Sequence, residues 1–208
     1  GDSTTTLSAP AAYQEAAPFG SNTGGVNPAF VAVSASAAVD SWLTVGITGG
    51  NSGALSSIGI DWDSWTADSA LSADNGAVFW MVPDDGPAGT VVLAQITVTA
   101  GSTGSVTMGA QGRSASGNDW TDAGVTFNLG GGGGGGGGGA PSIGGDNCDA
   151  TVTVVDSLDG WDTYQLGLAL TNGASNIYTV FGNSDTTLTA PAAYQEAAPF
   201  GANVGGVS

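Results

Sequence analysis

The side chains able to do chemistry in this 208-residue chain are almost all carboxylates. Asp and Glu number 18, Lys and Arg together one, and His none, which gives a formal charge of −17. Without His, and with Cys148 as the single thiol, there is no Ser/His/Asp triad, no Cys/His pair and no zinc set. Asp61, Asp63 and Asp68 stand first, third and eighth in one short segment. They are the candidate calcium ligands; the chain reads as needing no cofactor, a structural calcium being the one alternative. Calcium takes about six to eight oxygens, and an EF-hand-like loop fails here because Trp65 holds the fifth place and Ser72 the twelfth. Smaller acidic groups occur at Asp146, Asn147 and Asp149 and at Asp156, Asp159 and Asp162. Asp also caps turns and hydrates a surface, which needs no ligand. A glycosidase would need two carboxylates at a set separation. The two Glu residues, Glu15 and Glu196, are one position in successive copies of a repeat, and the chain reads as non-enzymatic.

The charge also limits partners. A nucleic acid is bound through rows of Lys or Arg that displace counterions, and an anionic membrane surface through polybasic segments; a chain with one base offers neither. A polysaccharide remains open as a partner, because exposed indoles stack on sugar rings. There are six tryptophans. Trp42 and Trp80 sit among apolar residues and read as buried, whereas Trp62 and Trp65, flanked by Asp, read as a sugar platform. An odd Cys in an oxidising compartment suggests a bond from Cys148 to another chain or repeat; buried, it is a small hydrophobe.

The elements that must position these residues read as β structure. Charged residues are 9% of the chain, against about 25% in ordinary domains, yet apolar residues are 41%, enough for a core. Apolar residues alternate through Trp42–Ile47, Val92–Val98 and Val106–Ala110. Further strands are expected at Phe30–Val33, Ile58–Trp62, Ala77–Val82, Val125–Leu129, Thr151–Val155, Tyr164–Leu170 and Ile177–Phe181, each bounded by turn residues. One short helix per repeat is expected at Pro10–Ala17 and again at Pro191–Ala198, opened by Pro and stopped by Pro18 or Pro199. The fold class expected is all-β, a sandwich of immunoglobulin-like or jelly-roll-like type.

Residues 1–27 and 182–208 align without gaps at an offset of 181, with 21 of 27 positions identical. Such self-similarity marks a tandem array, and the opening Gly1-Asp2-Ser3 reads as a piece of a longer polypeptide. Ten glycines, Gly130, Gly131, Gly132, Gly133, Gly134, Gly135, Gly136, Gly137, Gly138 and Gly139, suggest the boundary between copies. On that reading 1–129 is most of one sandwich lacking its first strands, 130–139 is a linker, and 140–208 is the opening third of the next unit. Segment 150–181 would then complete a sandwich in an adjacent copy; packing against 1–129 of its own chain would instead mean a circularly shifted domain. As a coil the glycines would span about 17 Å, whereas packed glycine strands, together with Cys148, would form contacts between chains or repeats.

The phrases Gly24–Phe30, Asp40–Gly50, Ile58–Trp65 and Asp74–Met81 resemble repeat modules of large secreted tandem-repeat polyproteins of marine unicellular algae and protists, over nearly the whole unit. The resemblance implies secretion and tandem repetition and brings no activity. Val91–Thr99 with the following Gly101–Gly112 is similar in pattern to cohesin-type sandwiches. The function expected is structural: an acidic sandwich repeated along a secreted chain, self-assembling with other copies into an extracellular fibre or surface filament. The alternative is a cell-surface carbohydrate-binding or adhesive array, in which repetition turns weak contacts into avidity.

Overall fold

The computed structural model describes residues 6–130, 142–158 and 160–182. They form an all-β protein of two antiparallel sheets. In chain order its strands are β1 (Thr6–Ala9), β2 (Trp42–Leu43), β3 (Leu55–Ile58), β4 (Leu71–Asp74), β5 (Ala77–Trp80), β6 (Thr90–Thr99), β7 (Gly104–Arg113), β8 (Asp119–Leu129), β9 (Cys148–Leu158), β10 (Trp161–Leu170) and β11 (Thr179–Phe181). One sheet runs β3-β5-β11-β7-β1-β4, with β8 also paired to β7; the other runs β2-β6-β10-β9. A single apolar cluster draws on both, with Val106, Met108, Val125 and Phe127 from the first and Leu93, Ile96, Leu166 and Leu168 from the second. Burying these side chains is what drives the sheets together.

The long strands coincide with the alternating runs. β6 contributes Val91, Leu93, Ala94, Ile96 and Val98 to the core. Gln95 and Thr97 are covered as well, with Gln95 Nε2 donating to Ala38 O and Asp40 O and Thr97 O accepting from Tyr13 N–H. β8 alternates more cleanly, with Trp120, Asp122, Val125, Phe127 and Leu129 buried and the residues between them more open. Trp42 is buried as expected, while Trp80 is half-buried against the core.

Besides the strand expected at Ile58–Trp62, of which only Ile58 lies in a strand because β3 ends there and Trp62 opens a short turn, three expectations are corrected. Pro10–Ala17 is no helix, because its apolar residues are buried in succession rather than along one stripe. Ala11, Ala12 and Tyr13 are all enclosed, and the backbone is tied outward: Ala12 N–H donates to Thr66 O (3.1 Å), Tyr13 N–H to Thr97 O (2.9 Å), and Ser41 N–H to Tyr13 O (2.8 Å). The copy at Pro191–Ala198 lies outside the described residues. The strand expected at Phe30–Val33 is replaced by a one-turn helix, α1 (Pro28–Val31), with Pro28 opening it and the Asn27 side chain accepting from Ala29 N–H at 2.9 Å.

The third correction concerns the domain boundary. β10 pairs with β6 from Trp161↔Thr99 to Ala169↔Thr90, and β11 pairs with both β5 and β7. Segment 142–182 therefore belongs to the same two sheets as 6–130, and the split into 1–129 and 140–208 does not hold. The glycine run interrupts a domain between β8 and β9. Edges of β5, β6 and β7 would be left bare without the later strands, which is why the chain folds back across it.

Candidate assembly edge

β9 closes the second sheet on one side. Its inner edge is bonded to β10 from Leu158↔Trp161 to Cys148↔Leu170, with a bulge at Thr163/Tyr164. Among the described residues no strand pairs with its outer edge. The run Thr153-Val154-Val155-Asp156-Ser157-Leu158 is exposed on both faces, including Val154 at 52%, Val155 at 43% and Leu158 at 43%. An open, β-branched edge of this kind is a template for another strand. Its two carboxylates, Asp149 and Asp156, face no cation on the strand and tend to hold a like-charged edge away.

The beginning of β9 is fixed by a buried carboxylate on β8. Asp122 Oδ2 accepts from Asn147 N–H (2.7 Å) and from Cys148 Sγ (3.3 Å), and Asp122 Oδ1 accepts from Asn147 Nδ2 (2.8 Å). Gly145 makes room for it, since a Cβ there would lie 2.3 Å from Asp122. Burial, aided by the Asp122 carboxylate, pushes the Cys148 thiol up to about 12. Cys148 is fully enclosed, so it is not placed to bond another chain or repeat; it ties β9 to β8. The end of β9 is held differently, by Ser157 Oγ donating to Asp162 Oδ1 at 3.2 Å on β10.

The other candidate residues are dispersed. Asp61, Asp63 and Asp68 are exposed, and among the described residues no three His, Cys, Asp or Glu side chains come together to hold a metal ion. Asp159 lies outside those residues. Trp65 is 1% exposed and its Nε1–H donates to Pro10 O, so it cannot present a face to a sugar. Trp62, half-buried with Nε1 on Ser57 Oγ (3.2 Å), lies 6.4 Å from it at 37°. The short turn Trp62–Ser64 sends the two rings to different depths. Of the glycines, Gly130 lies against its own chain with φ +85 and no room for a Cβ beside Ser102 O; Gly131–Gly139 lie outside the described residues.

A second buried acidic cluster escapes sequence reasoning. Asp40, with no solvent exposure, accepts from Glu15 N–H (2.5 Å) and Ser21 N–H (2.7 Å), and Tyr13 Oη donates to Glu15 Oε2 at 2.6 Å. Burial drives the Asp40 carboxyl well above its ordinary range, against the backbone donors and with the help of the Glu15 charge. The one visible clue is Glu15 itself, an acid inside the apolar run Ala11–Ala17. The sole cation, Arg113, pairs with Asp84 (2.8 Å) and Asp119 (2.5 Å) and lies 5.6 Å from the Tyr178 ring centroid. Among the described residues no helix is long and apolar enough to cross a membrane. No family model, curated protein or solved structure matches the chain.

Proposed function

We propose that the protein is a non-enzymatic structural subunit of an extracellular fibre or surface filament, an immunoglobulin-like or jelly-roll-like β-sandwich repeated along a secreted chain and packed through its sheet edges. The observation that supports this is β9, an edge of eleven residues whose second half exposes Val154, Val155 and Leu158. Edge strands are ordinarily blunted by Lys, Pro, extreme shortness, other charges or a bulge; β9 has no Lys or Pro and runs eleven residues, so only Asp149, Asp156 and the bulge opposite Thr163/Tyr164 oppose pairing. The high negative charge keeps single units apart in low salt, and screening within about 10 Å at 0.1 M brings edges within reach.

The test compares the native chain with a Val154→Lys/Leu158→Lys variant by sedimentation and negative-stain electron microscopy across a salt series. The native chain should assemble as salt is raised, while the variant stays monomeric with an unchanged unfolding midpoint. A native chain that stays monomeric at every salt concentration, or a variant that assembles equally well, would overturn the reading. The alternative, a carbohydrate-binding or adhesive array, draws less support because only Trp62 of its two rings meets solvent.

A further inference from the structure

β1 and β11 are two halves of one line. β8 pairs with β7 along nearly its whole length, so the remaining edge of β7 must serve both of the others: Ser8 lies opposite Thr107, and Phe181 and Thr179 lie opposite Gly109 and Gln111. Both run antiparallel to β7, hence in the same direction, and β11 ends where β1 begins. The other side repeats the arrangement, with Phe181 opposite Ala77 and Thr6 opposite Asp74, while Gly182 N–H donates to Gly76 O at 3.3 Å. The chain leaves β11 pointing into the place that β1 occupies.

The sequence beyond Gly182 is a second copy of the segment that fills that place. Residues 187–201 match 6–20 at 14 of 15 positions, the exception being Ser8 against Thr189. The other five differences between the copies, at 2, 4, 21, 23 and 27, all fall outside this stretch. The slot explains what is kept. Ala9, Ala11 and Ala12 have at most 1% exposure, Tyr13 and Glu15 are buried, and a Cβ at Gly20 would lie 1.8 Å from Glu15 O. Ala190, Ala192, Ala193, Tyr194, Glu196 and Gly201 supply the same side chains.

Reach is sufficient. Asp74 and Ala77, which mark Thr6 and Phe181 across the sheet, are three residues apart, about 10 Å at roughly 3.3 Å per residue. The five steps from Gly182 to Thr187 span up to about 17 Å. We propose that either copy, 6–20 or 187–201, fills this one slot, and that consecutive units of the array are joined by an exchangeable strand. With the downstream copy seated, the domain is the circularly shifted one. The exchange holds whatever the array is for, so its failure would leave the fibre reading standing, and the reverse.

The test uses the full 208-residue chain with a buried charge placed in one copy or both: Ala12→Asp, Ala193→Asp, and the double variant. An unpaired charge at this enclosed position is strongly unfavourable. Each single variant should keep a cooperative transition within about 4 °C of the parent, a shift that is small for a chain of this length, whereas the double variant should lose it. Hydrogen exchange read by mass spectrometry in Ala12→Asp should show protection at 187–201 in place of 6–20. Loss of structure in Ala12→Asp alone, or an unprotected 187–201 in that variant, would overturn the proposal.

Discussion

A carboxylate buried in a chain with one cation must be held by backbone donors, and Asp40 shows what that arrangement costs. Its oxygens accept from Glu15 and Ser21 N–H groups, yet burial and the nearby Glu15 charge favour the protonated form. A folded-state pKa above the ordinary Asp value of 3.8 means that the native protein holds a proton that the unfolded chain has released. The stability this proton supplies is fully present below 3.8 and is lost as pH rises through the raised value. The unfolding midpoint should therefore climb as pH falls from neutrality toward that limit. Repulsion among the surface carboxylates gives the same sign, so the comparison is with Asp40→Asn, which keeps the shape and cannot titrate. Its midpoint, measured by circular dichroism across the same pH series, should rise less steeply than that of the native protein; equal slopes would assign the whole effect to the surface charge. Nothing in the spacing of Asp40 predicts this role, since the groups that enclose it come from residues 19 and 25 positions away.

At the scale of elements, alternation is a reliable guide where strands are long and a poor one where they are short. β6 to β10 each run ten or eleven residues, and the apolar runs through Val92–Val98, Val106–Ala110, Val125–Leu129, Thr151–Val155 and Tyr164–Leu170 fall inside them. β1 and β4, four residues each with the sequences Thr-Leu-Ser-Ala and Leu-Ser-Ala-Asp, carry too little pattern to be seen and exist because they pair with each other. The stretch Pro10–Ala17 has helix-forming composition, but tertiary contacts hold it extended, since its N–H and C=O groups find partners on Thr66, Thr97 and Ser41. Trp65 departs from expectation for a related reason: flanking Asp residues suggest exposure, whereas the turn at Trp62–Ser64 directs the ring inward to Pro10 O. The start of β9 gives an element-level prediction. With its pKa near 12 and no exposure, Cys148 should not react with an aromatic disulfide reagent at pH 8 while β9 is docked on β8. Asp122→Ala removes the acceptor for Asn147 and Cys148, leaving the half-buried Asn147 donors and the buried Cys148 thiol without it, at a cost of about 1–3 kcal/mol. Labelling of that variant should be at least about fivefold faster, the factor that ~1 kcal/mol of opening free energy represents, given that ~1.4 kcal/mol is tenfold. An unchanged rate would show that Asp122 does not hold the strand.

For the whole molecule, the repeat and the fold place the unit boundary differently, and strand pairing decides between them. A run of ten glycines looks like a linker because it cannot pack side chains, and the sequence offers no sign that residues on its two sides share a core. In the structure they do: Leu166 and Leu168 beyond the run lie in one cluster with Leu93, Val106 and Phe127 before it. The offset of 181 fits this better than a linker would, because β1 starts at Thr6 and β11 ends at Phe181, so one complete set of strands fills almost one period. It follows that 6–182 should unfold as one cooperative body. Scanning calorimetry on the full chain should give a single transition whose calorimetric and van't Hoff enthalpies agree. At about 0.7 kcal/mol per residue near 60 °C, a body of this size would absorb on the order of 120 kcal/mol. Two separable transitions, or an enthalpy near half that value, would restore independent units on either side of the glycines. Insertion of further glycines into 131–139 supplies a control: lengthening a loop inside a domain costs only about 0.6 kcal/mol per doubling, so the single transition should move by no more than a few degrees.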